Sequence, residues 1–137
     1  MSSDSPVDVG IRFVESINRR DLDGLVALMP PDHKLFPGGG DVITGREKAR
    51  DALSDYVSSW PEFQIHISDI YLVDNAVVMI GRTTGSCADT PKGIEIQERR
   101  IYVAKVEDGF VKEFHHLDDS DQVRKEFGVS AEKRITK

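Results

Sequence analysis

The residues that could do chemistry in this chain lie near its C-terminal end, where two histidines are followed by two aspartates. His115 and His116 are adjacent, and Asp118 and Asp119 follow after one leucine. A histidine beside a carboxylate is an acid/base pair when burial and the neighbouring charge move its pKa toward neutral pH. Because successive strand residues point to opposite faces, only one of the two histidines can enter a pocket. The alternative is a set of polar rim residues, with Asp118 or Asp119 capping the helix that follows.

A second polar group alternates along the preceding predicted strand. Glu98, Arg100 and Tyr102 are two residues apart, so their side chains share one face. This spacing fits a charged cluster that orients a substrate, and it also fits a surface ion pair at a dimer interface. On a helix earlier in the chain, Tyr56 and Trp60 are expected to contribute to a pocket wall.

Metal, phosphate and thiol sites are less well supported. Four scattered histidines and the single Cys87 do not supply three metal ligands at a recognisable spacing. The glycine run at 38–40 lacks the Lys-Ser/Thr of a phosphate-binding loop. Cys87 has no basic neighbour in sequence that would activate its thiol, and it cannot form an internal disulfide. We therefore expect no metal and no cofactor.

Length and composition predict one globular domain. The chain has 137 residues, of which 39% are hydrophobic and 31% charged, and its formal net charge is −6. An acidic balance disfavours nucleic acid and anionic membranes as partners, because both require a basic surface. The first residues, 1–6, lack the basic and apolar regions of a signal peptide, so a cytoplasmic location is expected. We expect a flexible N-terminus at 1–5, a domain at 6–128 and a frayed tail at 129–137.

Hydrophobic spacing before Pro61 predicts three helices. Residues 6–29 have the pattern of two consecutive helices, the second capped by Asp21 and ended by two prolines. Residues 44–47 (Thr-Gly-Arg-Glu) have the form of a capping box that opens a third helix. Pro61 ends that helix.

After Pro61 the pattern becomes alternating, which predicts strands at 63–72, 76–84, 94–106 and 110–117. A phase slip at Ser68 and Asp69 predicts a bulge in the first of them. Tight turns are predicted at residues 74–75 and 108–109, and a loop at 86–93. A short helix carrying Val123 and Phe127 follows. Helices first and meandering strands afterwards indicate an α+β fold, with helices on one face of a curved antiparallel sheet.

The order of these elements, together with several local strings, resembles the SnoaL-like and ketosteroid-isomerase-like branch of the nuclear transport factor two-like superfamily. The strings span nearly the whole chain: residues 17–29, 45–47, 60–63 and 108–113, followed by Asp119 and the Phe-Gly pair at 127–128. The resemblance implies a cone-shaped curved antiparallel sheet whose concave face carries the N-terminal helices around an apolar pocket. It does not imply a reaction, because this fold hosts isomerases, cyclases, dehydratases, epoxide hydrolases and non-catalytic binding domains.

The resemblance also bears on individual site residues. The ketosteroid isomerase tyrosine falls on Phe13, the base of its Asp-Pro pair on Phe36, and its third oxyanion donor at or beside Tyr102. Without the base no such proton abstraction is possible, so ketosteroid isomerase activity is not expected. Laid on the family signature, Phe114, His116 and Asp118 face inward, whereas a one-residue slip would substitute His115 and Asp119. The expected ligand contacts are Phe13, Ile17, Phe36, Tyr56, Trp60, Arg100 and Tyr102.

Two functions remain open at this point. One is a cofactor-independent cyclase, dehydratase or hydrolase that uses the His116 region and a carboxylate for proton transfer on a small, mostly apolar molecule. The other is a non-catalytic ligand-binding or dimerisation module of the same fold. A deep cavity with a histidine bonded to a carboxylate would favour the enzyme, and a cavity plugged by Phe13, Phe36 and Trp60 would favour the module.

A homodimer through the outer face of the sheet is also expected. Both parities of the predicted strands are partly apolar, and helices can cover only one face. A monomer would then expose a large apolar patch, which pairing of two sheets about a two-fold axis would bury. The residues on which this expectation rests are Ile65, Ile67, Val77, Met79, Ile101 and Val103 in one set and Val78, Ile80, Tyr102 and Ala104 in the other.

Overall fold

The change of sequence pattern at Pro61 divides the fold into a helical first half and a mainly stranded second half. The computed structural model describes residues 5–37, 41–85 and 99–135. Over these residues none of the helices is both long and apolar enough to cross a bilayer. The helices are α1 (Pro6–Asn18), α2 (Leu22–Ala27), α3 (Arg46–Ser59) and α4 (Asp121–Glu126). The strands are β1 (Lys34–Phe36), β2 (Ile43–Thr44), β3 (Gln64–Val73), β4 (Ala76–Thr84), β5 (Arg100–Glu107) and β6 (Phe110–Asp118).

The strands form one curved, open sheet in the order β2-β1-β6-β5-β4-β3. The long strands β3 to β6 are antiparallel neighbours, which confirms the predicted meander. The exception is β1, which sequence reasoning missed and which runs parallel to β6. The sheet is therefore mixed at this edge rather than wholly antiparallel. The segments predicted at 86–93 and 94–98 lie outside the described residues.

A bulge bends the sheet where the phase slip predicts it. The register between β3 and β4 shifts between Ile67 and Asp69, and the Ser68 hydroxyl donates to the carbonyl of Ile80 at 3.1 Å. Opposite the bulge, a Cβ at Gly81 would collide with the carbonyl oxygen of His66. Glycine at this position therefore allows the two backbones to approach closely, and the sheet curves around its helical face.

The concave face of the sheet carries α1, α2 and α3. Helix α1 crosses close to β4, since a Cβ at Gly10 would lie 3.2 Å from the Val77 side chain. Val9, Phe13, Val14 and Ile17 are buried along α1 because their spacing puts them on one side of the helix. Asp21 caps α2 as predicted, accepting a bond from the Gly24 amide at 2.9 Å.

The predicted capping box before α3 is wrong. Thr44 belongs to β2 and pairs with Lys34, so its side chain does not cap the helix. The N-cap is Gly45, which has a φ of 107° and makes no side-chain capping bond. Its amide donates instead to the carbonyl of His33 at 2.7 Å, which ties the start of α3 to β1.

The outer, convex face is covered by the C-terminal end of the same chain. Val78, Ile80, Ile101 and Val103 are fully buried there, together with Ala76. The half-buried side chains packed against them come partly from α4 and the residues after it (Val123, Phe127 and Val129) and partly from β3 and β6 (Tyr71, Val73 and Leu117). The sequence pattern places Val78 and Ile80 in a different set from Ile101 and Val103. In the sheet all four lie on the outer face, because Val78 pairs with Val103 and Ile80 with Ile101. The homodimer is predicted on the premise that a single chain leaves this face exposed. That premise is wrong, because the face is buried within one chain.

The segment after α4, expected to be frayed, pairs with β3. The Ile135 amide donates to the Ile70 carbonyl at 2.7 Å, and Arg134 forms an ion pair with Asp69 at 2.6 Å. These contacts occupy part of the open edge of the sheet, the position where unpaired strands attract other chains.

The turn after α1 is fastened to the start of β3 by two side chains, which we call the Asn18–Arg20 clamp. The Asn18 side chain pairs with the backbone of Ile65, accepting from its amide at 2.7 Å and donating to its carbonyl at 3.0 Å. The Arg20 guanidinium donates to four carbonyls, those of Asn18, Trp60, Pro61 and Phe63. Arg20 itself has a φ of 56°, in the left-handed region that a non-glycine residue rarely occupies. Its guanidinium offsets the conformational cost by donating charged hydrogen bonds to carbonyls at the end of α1 and after α3.

Replacing Arg20 with methionine is expected to lower the free energy of unfolding by roughly 2–3 kcal/mol, because four carbonyls lose a charged donor. The matched control is Arg19→Met, since the Arg19 side chain is exposed and its loss should stay within about 0.5 kcal/mol. Urea denaturation of both variants makes the comparison. Equal losses in the two variants would contradict the clamp.

Candidate functional site

A cavity opens on the concave face between α3 and the sheet. Its volume is about 170 Å³. One wall is α3, the floor comes from β5 and β6, and the lip from β1 and β2. The lining side chains are almost all apolar or aromatic: Ile17, Leu35, Pro37, Ile43, Ala52, Leu53, Tyr56, Val57, Phe63, Ile65, Tyr102, Phe114 and His116. Most pockets for small molecules combine such an apolar wall with a few polar groups.

The floor of the cavity is part of a continuous row of five rings, which we call the aromatic row. His33 stacks on Phe13 with centroids 5.9 Å apart, and Phe13 meets Phe114 at 4.6 Å. Phe114 stacks on Tyr102 at 5.8 Å, and Tyr102 stacks on His116 at 5.0 Å. Alternation along the strands aims Tyr102, Phe114 and His116 at the concave face, so the row holds the His116 ring in place at the cavity.

Among the described lining residues, His116 is the only histidine, and none is a carboxylate, lysine or arginine. Burial lowers the pKa of its imidazole below the ordinary value, and the nearby positive charge of Arg100 lowers it further, against a smaller opposing effect of Asp118. The ring is therefore neutral at neutral pH. A neutral imidazole offers one N–H donor and one nitrogen acceptor, so His116 can bind a hydroxyl or a carbonyl group.

The predicted acid/base pair does not assemble in the cavity. Asp118 lies at the rim, 85% exposed, and binds the Arg100 guanidinium at 2.6 Å. Asp119 accepts two bonds from Arg124, at 2.7 and 2.9 Å, and the cap of α4 is Ser120. Within residues 5–37, 41–85 and 99–135, no carboxylate is hydrogen-bonded to His116. The arrangement expected of a histidine-carboxylate enzyme is thus absent from the described part of the site.

His115 points to the outer face, so the one-residue slip is wrong. Its Nε2 lies 3.0 Å from a Glu113 carboxylate oxygen, and its ring stacks on Phe36 with centroids 4.0 Å apart. The edge contact between His115 and Phe127 joins this group to the segment that covers the outer face. Burial lowers the pKa of His115, and the bond to Glu113 opposes that shift. The histidine-carboxylate contact therefore exists, but on the side of the sheet away from the cavity.

Three of the predicted ligand contacts line the cavity, namely Ile17, Tyr56 and Tyr102. The others are displaced for identifiable reasons. Phe13 is fully buried beneath the floor, and Phe36 faces outward because its neighbour Leu35 takes the inward position of β1. The carbonyl of Trp60 is engaged by the clamp, and Arg100 is held at the rim by Asp118.

The predicted ligand contacts do not include the lip or several lining positions on α3 and at the start of β3: Ala52, Leu53, Val57, Phe63 and Ile65. Leu35, Pro37 and Ile43 come from a segment without a periodic signal, because β1 and β2 have only three and two residues. Ala52 lies on α3 next to the predicted apolar face, and its small side chain leaves room for the cavity. Phe114, by contrast, was expected to face inward, and it does.

No group of three or more potential metal ligands is found in the described ranges. Glu98 and Cys87 lie outside those ranges. Metal-free and cofactor-free chemistry accordingly stays a prediction from the sequence.

His33 anchors the far end of the aromatic row. It is fully buried, and its Nδ1 lies 2.6 Å from the carbonyl oxygen of Val111, so Nδ1–H donates to that oxygen. Among the described residues, Nε2 has no hydrogen-bond partner. Burial lowers the pKa of His33, while the bond to Val111 and the charges of Asp32 and Glu113 oppose the shift.

Comparison with known proteins supports the fold. A sequence model of the SnoaL-like domain matches residues 11–114. Among solved structures, an uncharacterized cystatin fold protein from Novosphingobium aromaticivorans shares 22% identity with a TM-score of 0.69, covering 83% of this chain and 98% of that one. A candidate SnoaL-like polyketide cyclase from Jannaschia sp. CCS1 shares 17% identity with a TM-score of 0.67, covering 96% and 99%. A candidate ketosteroid isomerase from Kribbella flavida shares 17% identity with a TM-score of 0.65, covering 84% and 78%. At these identities the likeness shows the fold alone. No curated protein matches the chain.

The buried His33 predicts a stability loss in mild acid. Its pKa is lowered in the folded state, so below about pH 6.5 the unfolded chain takes up a proton that the folded chain resists. His33→Asn keeps an N–H donor for Val111 but cannot titrate. Between about pH 6.5 and pH 5, wild type should lose stability faster than the variant, by at most about 1.4 kcal/mol per pH unit. Urea titrations across this range measure both slopes, which should be parallel above about pH 7.5. Parallel slopes throughout would contradict the prediction.

Proposed function

The chain belongs to the SnoaL-like domain family, and we propose that it binds a small, mostly apolar molecule in the cavity between α3 and the concave face of the sheet. The observation that carries this proposal is the lining itself, in which apolar and aromatic side chains surround the neutral imidazole of His116. Transfer of apolar ligand surface from water to such a wall supplies the binding energy. The imidazole supplies orientation by hydrogen bonding.

The walls of the cavity are held before any ligand arrives, which favours binding. Tyr56 meets Phe63 edge-to-face with ring centroids 5.0 Å apart, and the clamp fixes the backbone on either side of Phe63. The aromatic row fixes Tyr102 and His116 on the opposite side. Since few side chains need ordering when the ligand enters, little binding energy is lost to conformational entropy.

A second candidate function is proton transfer by a cofactor-independent cyclase, dehydratase or hydrolase. The observation that favours it is the lowered pKa of His116, because an unprotonated imidazole in an apolar site can accept a proton from a substrate. The candidate cyclase and isomerase among the solved structures are consistent with such chemistry on this fold. The absence of a carboxylate bonded to His116 in the described residues makes this the less supported candidate.

The homodimer and the cytoplasmic location remain predictions. The outer face is already covered by α4 and the segment that follows it. A dimer would therefore have to use other surfaces or the outside of that cover.

Filling the cavity is expected to abolish binding without unfolding the domain. Ala52→Phe places a ring in the cavity, whereas Ser58→Phe adds the same ring at an exposed position of α3. In a thermal-shift screen of small metabolites, compounds that raise the Tm of wild type by at least about 3 °C should also stabilise Ser58→Phe. They should leave Ala52→Phe unchanged, because its site is occupied.

The unliganded Tm of the two variants and their circular dichroism spectra serve as folding controls. A screen in which no compound distinguishes Ala52→Phe from Ser58→Phe would contradict binding in this cavity.

Proton transfer by His116 predicts exchange at carbon. In D₂O, wild type should accelerate deuterium incorporation next to the carbonyl of cyclohexanone, a reaction followed by NMR. His116→Gln retains hydrogen-bonding capacity but has no basic nitrogen, so its rate should fall by at least about 100-fold. Equal rates for wild type, His116→Gln and buffer would rule out this second function and leave the binding function intact.

A further inference from the structure

We infer that the molecule bound in the cavity is uncharged, contains a single ring and carries one hydroxyl or carbonyl group that bonds to His116. This inference rests on the proposed function and specifies its ligand. Three properties of the site lead to it, namely its volume, its lack of charge and the placement of its imidazole.

The volume sets the size of the ligand. The cavity measures about 170 Å³. In another protein, an apolar cavity of about 150 Å³ lined by leucine, isoleucine and phenylalanine holds one benzene molecule. One ring with a few substituent atoms therefore fills the enclosed space between Leu53, Phe63 and Tyr102, whereas most of a skeleton of four fused rings would project from the mouth into water. The closed floor beneath Tyr102 and Phe114 prevents a longer molecule from entering further, because Phe13 and His33 pack directly behind those rings.

The lining sets the charge of the ligand. Among the described residues that line the cavity there is no lysine, arginine, aspartate or glutamate. Arg100, whose positive charge acts on His116, is bonded to Asp118 at 2.6 Å. A carboxylate or ammonium group in the cavity would lose its hydration without gaining an ion pair from these residues, which disfavours binding. A neutral ligand avoids this cost.

His116 sets the polar group. Its ring is held by the stack on Tyr102 at 5.0 Å, and it is the lining group that combines a donor with an acceptor nitrogen on a fixed ring. No hydrogen bond to protein occupies either nitrogen among the described residues. A hydroxyl or carbonyl on the ligand ring supplies the missing partner, and a plain hydrocarbon leaves the imidazole desolvated and unpaired.

The test is a calorimetric titration of the full chain at about pH 7.5 with four probes: 4-methylphenol, toluene, 4-methylbenzoate and the tetracyclic 5-androstene-3,17-dione. We expect 4-methylphenol to bind about tenfold more tightly than toluene, the difference expected for one neutral hydrogen bond. We expect no saturable binding of 4-methylbenzoate or of the steroid. In His116→Phe, the affinity for 4-methylphenol should fall to the affinity for toluene. The affinity for toluene should stay within about threefold of wild type.

The toluene affinity of His116→Phe also shows that the variant keeps a folded cavity. If that variant does not fold, His116→Gln takes its place. Because its amide can still form a hydrogen bond, His116→Gln should retain part of the preference for 4-methylphenol over toluene. Saturable binding of the steroid, or tighter binding of 4-methylbenzoate, would overturn the inference and leave the binding function standing. Equal affinities for toluene and 4-methylphenol in wild type would overturn the role of His116. If no probe binds and the metabolite screen also finds nothing, the proposed function fails together with the inference.

Discussion

Four backbone carbonyls converge on the guanidinium of Arg20, and the geometry of the concave face depends on this convergence. The carbonyls belong to the end of α1 and to the connection between α3 and β3, segments more than 40 residues apart in sequence. Asn18 adds a strand-like pair to Ile65 next to them. Because Ile17 of α1 and the lining residues of α3 face the same cavity, the clamp holds these two helices together at its edge. Arg20 has a left-handed backbone, which is rare for a residue other than glycine. The hydrogen bonds from its guanidinium to carbonyls near the ends of α1 and α3 stabilise this conformation.

The two faces of the sheet are covered by different parts of the same chain. The N-terminal helices cover the concave face incompletely and leave the cavity, whereas α4 and the residues after it cover the outer face so fully that Val78 and Ile80 are inaccessible. The two adjacent histidines of β6 lie on these different faces: His116 lines the cavity, and His115 packs against Phe127. The cavity lining and the outer-face packing are therefore built on alternate residues of a single strand. A change in the pairing register of β6 would exchange them.

Sequence predicts the long elements of this fold, because periodicity is a local property. Strand alternation alone leaves open which of His115 and His116 faces inward, and the inward orientation of Phe114 and His116 is what the family resemblance implies. Sequence also predicts the bulge at Ser68, since an interrupted alternation marks an extra residue. It misses β1 and β2, which are too short to show a period, and with them the lip of the cavity and the outward orientation of Phe36. The partners of Arg20, and the sheet face that Val123 and Phe127 cover, are settled by contacts between distant segments. No local pattern carries that information.

An apolar cavity of defined size lies on the concave face without any ligand in it. The most direct test is a crystal structure of the protein under xenon pressure, because xenon enters preformed apolar cavities and scatters strongly. We predict a xenon atom among the side chains of Leu53, Phe63 and Tyr102, with those side chains unmoved. A collapsed space between α3 and the sheet, or a chain of ordered waters bonded to His116 in place of xenon, would contradict the account.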